Sequence, residues 1–218
     1  MPSRRAVLVC GHARATVAAV ARALAAADLP LVIQAAPSEI AATRRLCRRM
    51  AGRASAARVV GAGLGGDAES RQLMEQAWRA ARAIEAVVVC PAVAAADSDL
   101  IAWRDALDTG LRTPFFLAKH AGLRLGRSGG GRVVFAIGAP RRDAGAAAHV
   151  VRSGLRCMID ALGRALSARV AVSAVVGGGA GVREIADIAR GVRFLVEGRA
   201  CASGTVLELG GQLRSPAP

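Results

Sequence analysis

Tyrosine is absent from this 218-residue chain, and Lys119 is the only lysine among its 30 basic residues. Aromatic residues make up 3% of the sequence, and Trp78 and Trp103 each stand among non-aromatic neighbours. No interleaving of rings and cations offers a platform for stacking nucleobases. No apolar run is long enough to span a bilayer, because Arg, Asp or Gly interrupts each one. No charged-then-apolar leader opens the sequence, so a cytoplasmic location is expected. The cysteines Cys10, Cys47, Cys90, Cys157 and Cys201 are odd in number and form no C-x-x-C pair. Reduced, buried thiols are expected, and no metal site. Neither Cys90 nor Cys157 has an identifiable base that would make it a nucleophile.

What is present is positive charge and small apolar residues. The formal net charge is +14, and 53% of residues are hydrophobic. Such a charge suits an acidic partner. The arginines are nevertheless scattered among Ala and Gly along the whole chain, so a solvated basic surface is expected and nucleic acid is not an expected partner. The length is ample for a core, and one domain spanning residues 1–218 is expected.

Strand and helix patterns alternate without repeats or linkers. Ala6–Cys10, Leu31–Gln34, Arg58–Val60, Ala86–Cys90, Arg132–Ile137, Val170–Val176 and Thr205–Leu209 read as strands. Thr16–Ala27, Ser38–Gly52, Glu69–Ile84, Trp103–Leu125, Ala147–Ser167 and Val182–Val196 read as helices. Leu73, Ala77, Trp78, Ala81 and Ile84 share one face of the third helix. The all-apolar run Ala86–Cys90 is that of a strand covered on both sides. Alternation of this kind predicts an α/β fold: a single doubly wound Rossmann-like domain, with a parallel sheet of about seven strands and helices on both faces.

The order of elements resembles a short-chain dehydrogenase/reductase, closest to the pteridine-reductase-like branch. REIADIARGVRFLVEGRACASGTVLELGGQL is similar to that family's last helix and strand, where a TGQ…DGG pattern is usual. DTGLRTPFFLAKHA resembles its long fourth helix, and HVVRSGLRCMIDAL the helix that carries Tyr-x-x-x-Lys. The resemblance implies a dinucleotide turn, Thr-Gly-x-x-x-Gly-x-Gly, at Cys10–Val17. Here Gly11 is kept, His12 and Arg14 occupy variable positions, and Ala15 and Val17 stand where glycines belong. Those glycines allow backbone to approach the pyrophosphate at a helix N-terminus. The arginine of NADP-type members corresponds to Ala36, and the acidic adenine contact to Gly63. The nicotinamide-side Asn-Asn-Ala-Gly corresponds to Val89, Cys90, Pro91 and Ala92, and the later Pro-Gly to Gly177 and Gly178. GAGLGG, residues 61–66, matches G-x-G-x-x-G but falls in the third βα turn. Glu85 precedes its strand, and no acidic residue ends one about twenty residues on, so a dinucleotide loop is not expected there.

The catalytic machinery that the resemblance implies is missing in the same way. The family's Tyr, Lys, Ser/Asp and helix-four Asn correspond to Ala148, Arg152, Gly138 and Gly110. His149 is the possible substitute acid/base, but it is one position off register, a rotation of about 100° on a helix. An exposed helix-face histidine is the expectation, with His12 and His120 as surface residues and Arg14 as a solvated turn residue. Arg152 is no general base at ordinary pH. The substrate lid between about 177 and 184 is reduced to GGGAGVRE, and the Gly138–Ala148 and Ala92–Leu100 segments are short.

No cofactor is expected, and NADP if any. The leading reading is a chain that has lost NAD(P) binding and reductase activity. It would serve as a non-catalytic subunit or oligomerisation partner of itself or an active relative. Contact would run through helices 103–125 and 147–167 and the C-terminal strand. The alternative is a remodelled enzyme or ligand-binding protein of the same fold, using Arg14, His149 and Arg152 on a nucleotide-like or pterin-like ligand. An NADP-dependent reductase ranks third.

Overall fold

A computed structural model describes residues 5–50, 57–93, 99–140, 144–166, 169–178, 182–198 and 202–209. The elements run β1 (Ala6–Gly11), α1 (Arg14–Ala25), β2 (Leu31–Ala35), α2 (Ile40–Met50), β3 (Arg58–Gly61), α3 (Asp67–Ala80) and β4 (Ile84–Cys90). There follow α4 (Leu100–Leu107), α5 (Thr113–Arg127), β5 (Gly131–Ile137), α6 (Ala146–Leu166), β6 (Val170–Gly177), α7 (Val182–Glu197) and β7 (Val206–Leu209). The seven strands form one parallel sheet in the order β3-β2-β1-β4-β5-β6-β7. Chain order reverses between β1 and β4, and crevices outside the carboxyl ends of strands at such a switch point are where ligands bind in this architecture.

Apolar β-branched runs make the central strands, because both faces of the sheet are covered. On one face α3, α5 and α6 bury Leu73, Leu117, Leu125, Leu155 and Ile159 against Phe135 and Val87. On the other, α1, α2 and α7 bury Val20, Leu24, Cys47, Ile188 and Leu195 against Val9, Ile33 and Val88. Gly11 ends β1 at φ +138°, and a Cβ there would lie 2.1 Å from the Cys90 carbonyl oxygen of β4. Only glycine permits that backbone contact.

Several boundaries differ from the sequence reading. The third helix opens at Asp67 and closes at Ala80, where Ala81 turns extended (φ −124°, ψ 138°). Ile84 therefore leaves the helix face and begins β4 opposite Ala6, where it is fully buried. Glu85 accordingly lies inside β4 and does not precede it. The second helix starts as a 3-10 turn at Pro37–Glu39, since proline supplies the opening φ but no N–H. Residues 51 and 52 of that helix lie outside the described residues. The fourth helix begins earlier, at Leu100, where the Asp99 carboxylate accepts the Ala102 N–H at 2.8 Å. A π-helical segment, Asp108–Arg112, then separates α4 from α5.

Arg132 of β5 closes the far end of α7. Its Nη1 donates to the Leu195 carbonyl at 2.7 Å and also reaches the Gly198 carbonyl. A cation there satisfies carbonyls that have no helical partner and faces the negative end of the helix. Replacing Arg132 with Ala is expected to lower unfolding free energy by about 1–3 kcal/mol in urea titration. Hydrogen exchange should rise first in the last turn of α7.

Candidate functional site

The carboxyl ends of the strands form a cleft with two unlike halves. The first half sits over β1 and β2. A cavity of about 270 Å³ opens there, with Gly11, His12, Arg14 and Val17 on one wall and Ala36, Glu39, Thr43 and Leu46 on another. Gln34 braces its floor, with Nε2 donating to the Ala62 carbonyl at 2.8 Å and Oε1 accepting the Gly11 N–H at 3.4 Å. Arg14 is not merely solvated. It pairs with Glu39 across the cavity, so its charge is met within the chain.

The turn into α1 engages its own backbone donors. The Ala13 N–H donates to the Cys90 carbonyl at 3.1 Å, and the Arg14 N–H to the His12 carbonyl at 3.0 Å. Both donors are thus consumed by the turn itself. Val17 is buried against the α1–α2–α7 layer, placing its branched side chain in the helix turn. His12 is half-buried, and its Nε2 is buried with no hydrogen-bond partner among the described residues. Burial holds its imidazole below the usual histidine range.

Gly63 lies beyond β3, where a Cβ would meet nothing within 4 Å. The surrounding GAGLGG loop does sit in the third βα turn. Its helix opens with Asp67 and Glu69, which oppose an anion at that N-terminus. Asp67 also receives Lys119 Nζ and His120 Nε2, each at 3.0 Å. Those two donors hold the Asp67 carboxyl below its ordinary range. His120 is therefore a half-buried partner of α3 and not a free surface residue.

Over β4, β5 and β6, side chains of two helices close on particular backbone positions. Gly110 is buried in the π-helical segment, and a Cβ on it would stand 2.5 Å from the Val151 side chain and 3.0 Å from the Ala92 carbonyl oxygen. Val151 of α6 thus takes the volume that an Asn would require. Ala148 is 0% exposed and packed in the helix layer. His149 is exposed, on a different face from Ala148 and Val151, and does not line the cavity. Arg152 is half-buried and faces Glu184. Gly138 remains open, with nothing within 4 Å of a Cβ. Arg14, His149 and Arg152 are accordingly not assembled into one site.

Sequence reasoning passed over Glu184. It stands in the first turn of α7 and reaches back over Gly177, whose absent Cβ would fall 1.8 Å from Oε1. Oε1 accepts the Ala139 N–H at 2.7 Å. Partial burial raises the Glu184 carboxyl, against the pull of that hydrogen bond and of Arg152. Glu39 and Gln34 were likewise passed over; a polar residue ending an otherwise apolar strand was the available signal for Gln34.

The thiols divide. Cys10, Cys47 and Cys90 are buried, and burial pushes Cys10 up to about 12 and Cys90 upward as well. Cys157 is exposed, contrary to the expected buried thiol, because it lies on the outer face of α6. Cys201 lies outside the described residues. Among the described residues no group of three or more His, Cys, Asp or Glu side chains is placed to hold a metal ion, and no helix is long and apolar enough to cross a membrane.

Two outcomes follow from these contacts. Gly110→Asn is expected to lower the melting temperature by several degrees, corresponding to about 1–3 kcal/mol of overpacking. For Glu184, a carboxyl raised in the folded state favours folding while protonated and loses that advantage as pH rises through its folded value. Glu184→Gln keeps an acceptor for Ala139. Its stability relative to wild type should therefore increase between pH 4 and pH 7, read as paired urea midpoints.

No protein-family model matches this sequence, and no curated protein does. Solved structures do match, over nearly the whole chain. Acetoin dehydrogenase YohF from Salmonella typhimurium is 17% identical with a TM-score of 0.79, covering 95% of each chain. A short-chain dehydrogenase/reductase from Serratia marcescens BCRC 10948 is 19% identical with a TM-score of 0.79, covering 96% of this chain and 98% of that one. FolM alternative dihydrofolate reductase 1 from Brucella suis, in complex with NADP, is 25% identical with a TM-score of 0.74, covering 94% of this chain and 93% of that one. By its fold this protein stands with the short-chain dehydrogenase/reductases, FolM-type reductases among them.

Proposed function

We propose that this chain is a non-catalytic protein of the short-chain dehydrogenase/reductase fold, acting as a subunit or oligomerisation partner of itself or of an active relative. One observation carries the reading. The position in register with the family's proton-donating tyrosine is Ala148, fully buried, in a chain that contains no tyrosine at all. A ketone reduction of the family's kind needs a group there that delivers a proton as hydride arrives. Val151, one turn on, packs against Gly110, and His149 is exposed on another face of the helix.

The cofactor half supports the same reading. Its cavity of about 270 Å³ is below the roughly 300–1,000 Å³ usual for small-molecule sites, and its helix turn spends two N–H groups internally. Association has support from the surface. Phe115 and Leu123 on α5 and Val150 on α6 are 38%, 46% and 45% exposed, and exposed apolar residues grouped on neighbouring helices suit protein contact.

The cavity favours one further reading, a protein that holds a small ring-sized ligand between Val17, Thr43 and Leu46. Thermal melting separates the two. With about millimolar NAD(H) or NADP(H), the proposed function expects no rise in melting temperature, whereas binding would raise it. Native mass measurement should return a complex of two or more chains. A clear rise with either dinucleotide, lost in Thr43→Trp, would overturn the proposal in favour of the ligand-binding reading.

A further inference from the structure

Helix α2 carries Arg44, Arg45, Arg48 and Arg49 and no acidic residue within its span. All four are exposed, and none has an ion-pair partner among the described residues. Five arginines elsewhere are paired within three or four residues: Arg79 with Glu75, Arg112 with Asp108, Arg164 with Asp160, Arg190 with Asp187 and Arg193 with Glu197. Arg71 and Arg104 are exposed without an ion-pair partner among the described residues, but neither has another arginine one turn away on its helix. What sets α2 apart is four such arginines within six residues, and Glu39, the acid just before α2 in the chain, is taken by Arg14.

Spacing makes these four a strip. Arg44 and Arg48 are one turn apart, as are Arg45 and Arg49, so two guanidinium columns run side by side. The opposite face, Cys47 with Met50 beside it, packs on the sheet. Like charges at that spacing weaken a helix, and α2 carries two such pairs without relief. The strip lies on the face of the sheet opposite α5 and α6, so it is independent of the contact surface discussed above.

We infer that the arginine strip of α2 is a docking surface for an acidic helix of a partner protein. Carboxylates spaced one turn apart on a helix match the two columns, and guanidinium forks bind carboxylates in pairs. Nucleic acid fits less well. The strip offers four cations, fewer than the roughly 6–10 phosphate contacts of a strong duplex binder. No aromatic residue stands on α2, on the 3-10 turn before it or on β3, so no base can stack there. The surface concerns binding alone and stands whether or not the chain proves catalytic.

The test uses the full chain and a fluorescently labelled helical peptide bearing glutamate pairs one turn apart, titrated by anisotropy at about 0.15 M salt. Arg44, Arg45, Arg48 and Arg49 are changed together to Gln. A charge-matched control changes Arg71, Arg82, Arg104 and Arg127, which are exposed on other elements. The α2 variant is expected to bind about tenfold more weakly, and the control within about twofold of wild type. The α2 variant should melt no lower than wild type, since repulsion is removed. Equal weakening in both variants would reduce the effect to net charge and overturn the inference. So would a duplex of about 20 base pairs binding more tightly than the peptide through the same arginines, or no binding by wild type.

Discussion

Everything in the cleft depends on how closely β1 passes β4. At Gly11 the backbone meets the Cys90 carbonyl, in a conformation and at a distance that a side chain would prohibit. That contact aligns the two central strands, where the topology reverses and a crevice opens beyond the carboxyl ends. It also places the Cys90 carbonyl within reach of the Ala13 N–H, so the turn into α1 is braced from β4. The position of α1, the wall of the small cavity and the packing of α7 beside α1 all follow from this approach.

The two halves of the cleft differ in what fills them. Over β1 and β2 there is still a cavity, bridged by Arg14 and Glu39 and floored by a Gln34 whose polar groups are engaged. Over β5 and β6 side chains from two helices close in at two points, Val151 against Gly110 and Glu184 over Gly177, while Gly138 stays open. Glu184 acts at two levels. It closes space above β6 and holds the chain leaving β5 through the Ala139 N–H. A carboxylate near the start of a helix is favourably placed electrostatically, which offsets part of its desolvation.

The elements were legible in the sequence wherever hydrophobic period was unbroken. Ala86–Cys90 reads as a doubly covered strand, and Ala147–Ser167 as a long helix within a residue of its observed ends. Legibility failed where short-range signals compete. Ile84 completes a helical stripe on paper, but its burial beside Ala6 is worth more in the sheet. Gly110 in a helical run gave no warning of a π-helical segment, or of the Val151 side chain packed against it from α6. Cys157, His120 and His12 were misplaced for one reason: burial depends on which helix face meets which neighbour.

The sequence by itself determined the alternation of strands and helices, the lack of any tyrosine, and the branched Val17 in the first turn of α1. Those are properties of composition and local pattern, which no packing can restore. Only the tertiary structure decided that Arg14 meets Glu39, that Glu184 reaches Ala139, and that four neighbouring arginines of α2 have no ion-pair partner among the described residues. Each of these joins, or fails to join, groups whose distance is set by the crossing of elements and the register of the sheet. A one-dimensional pattern holds the charges but not the separations, and the separations govern their energy.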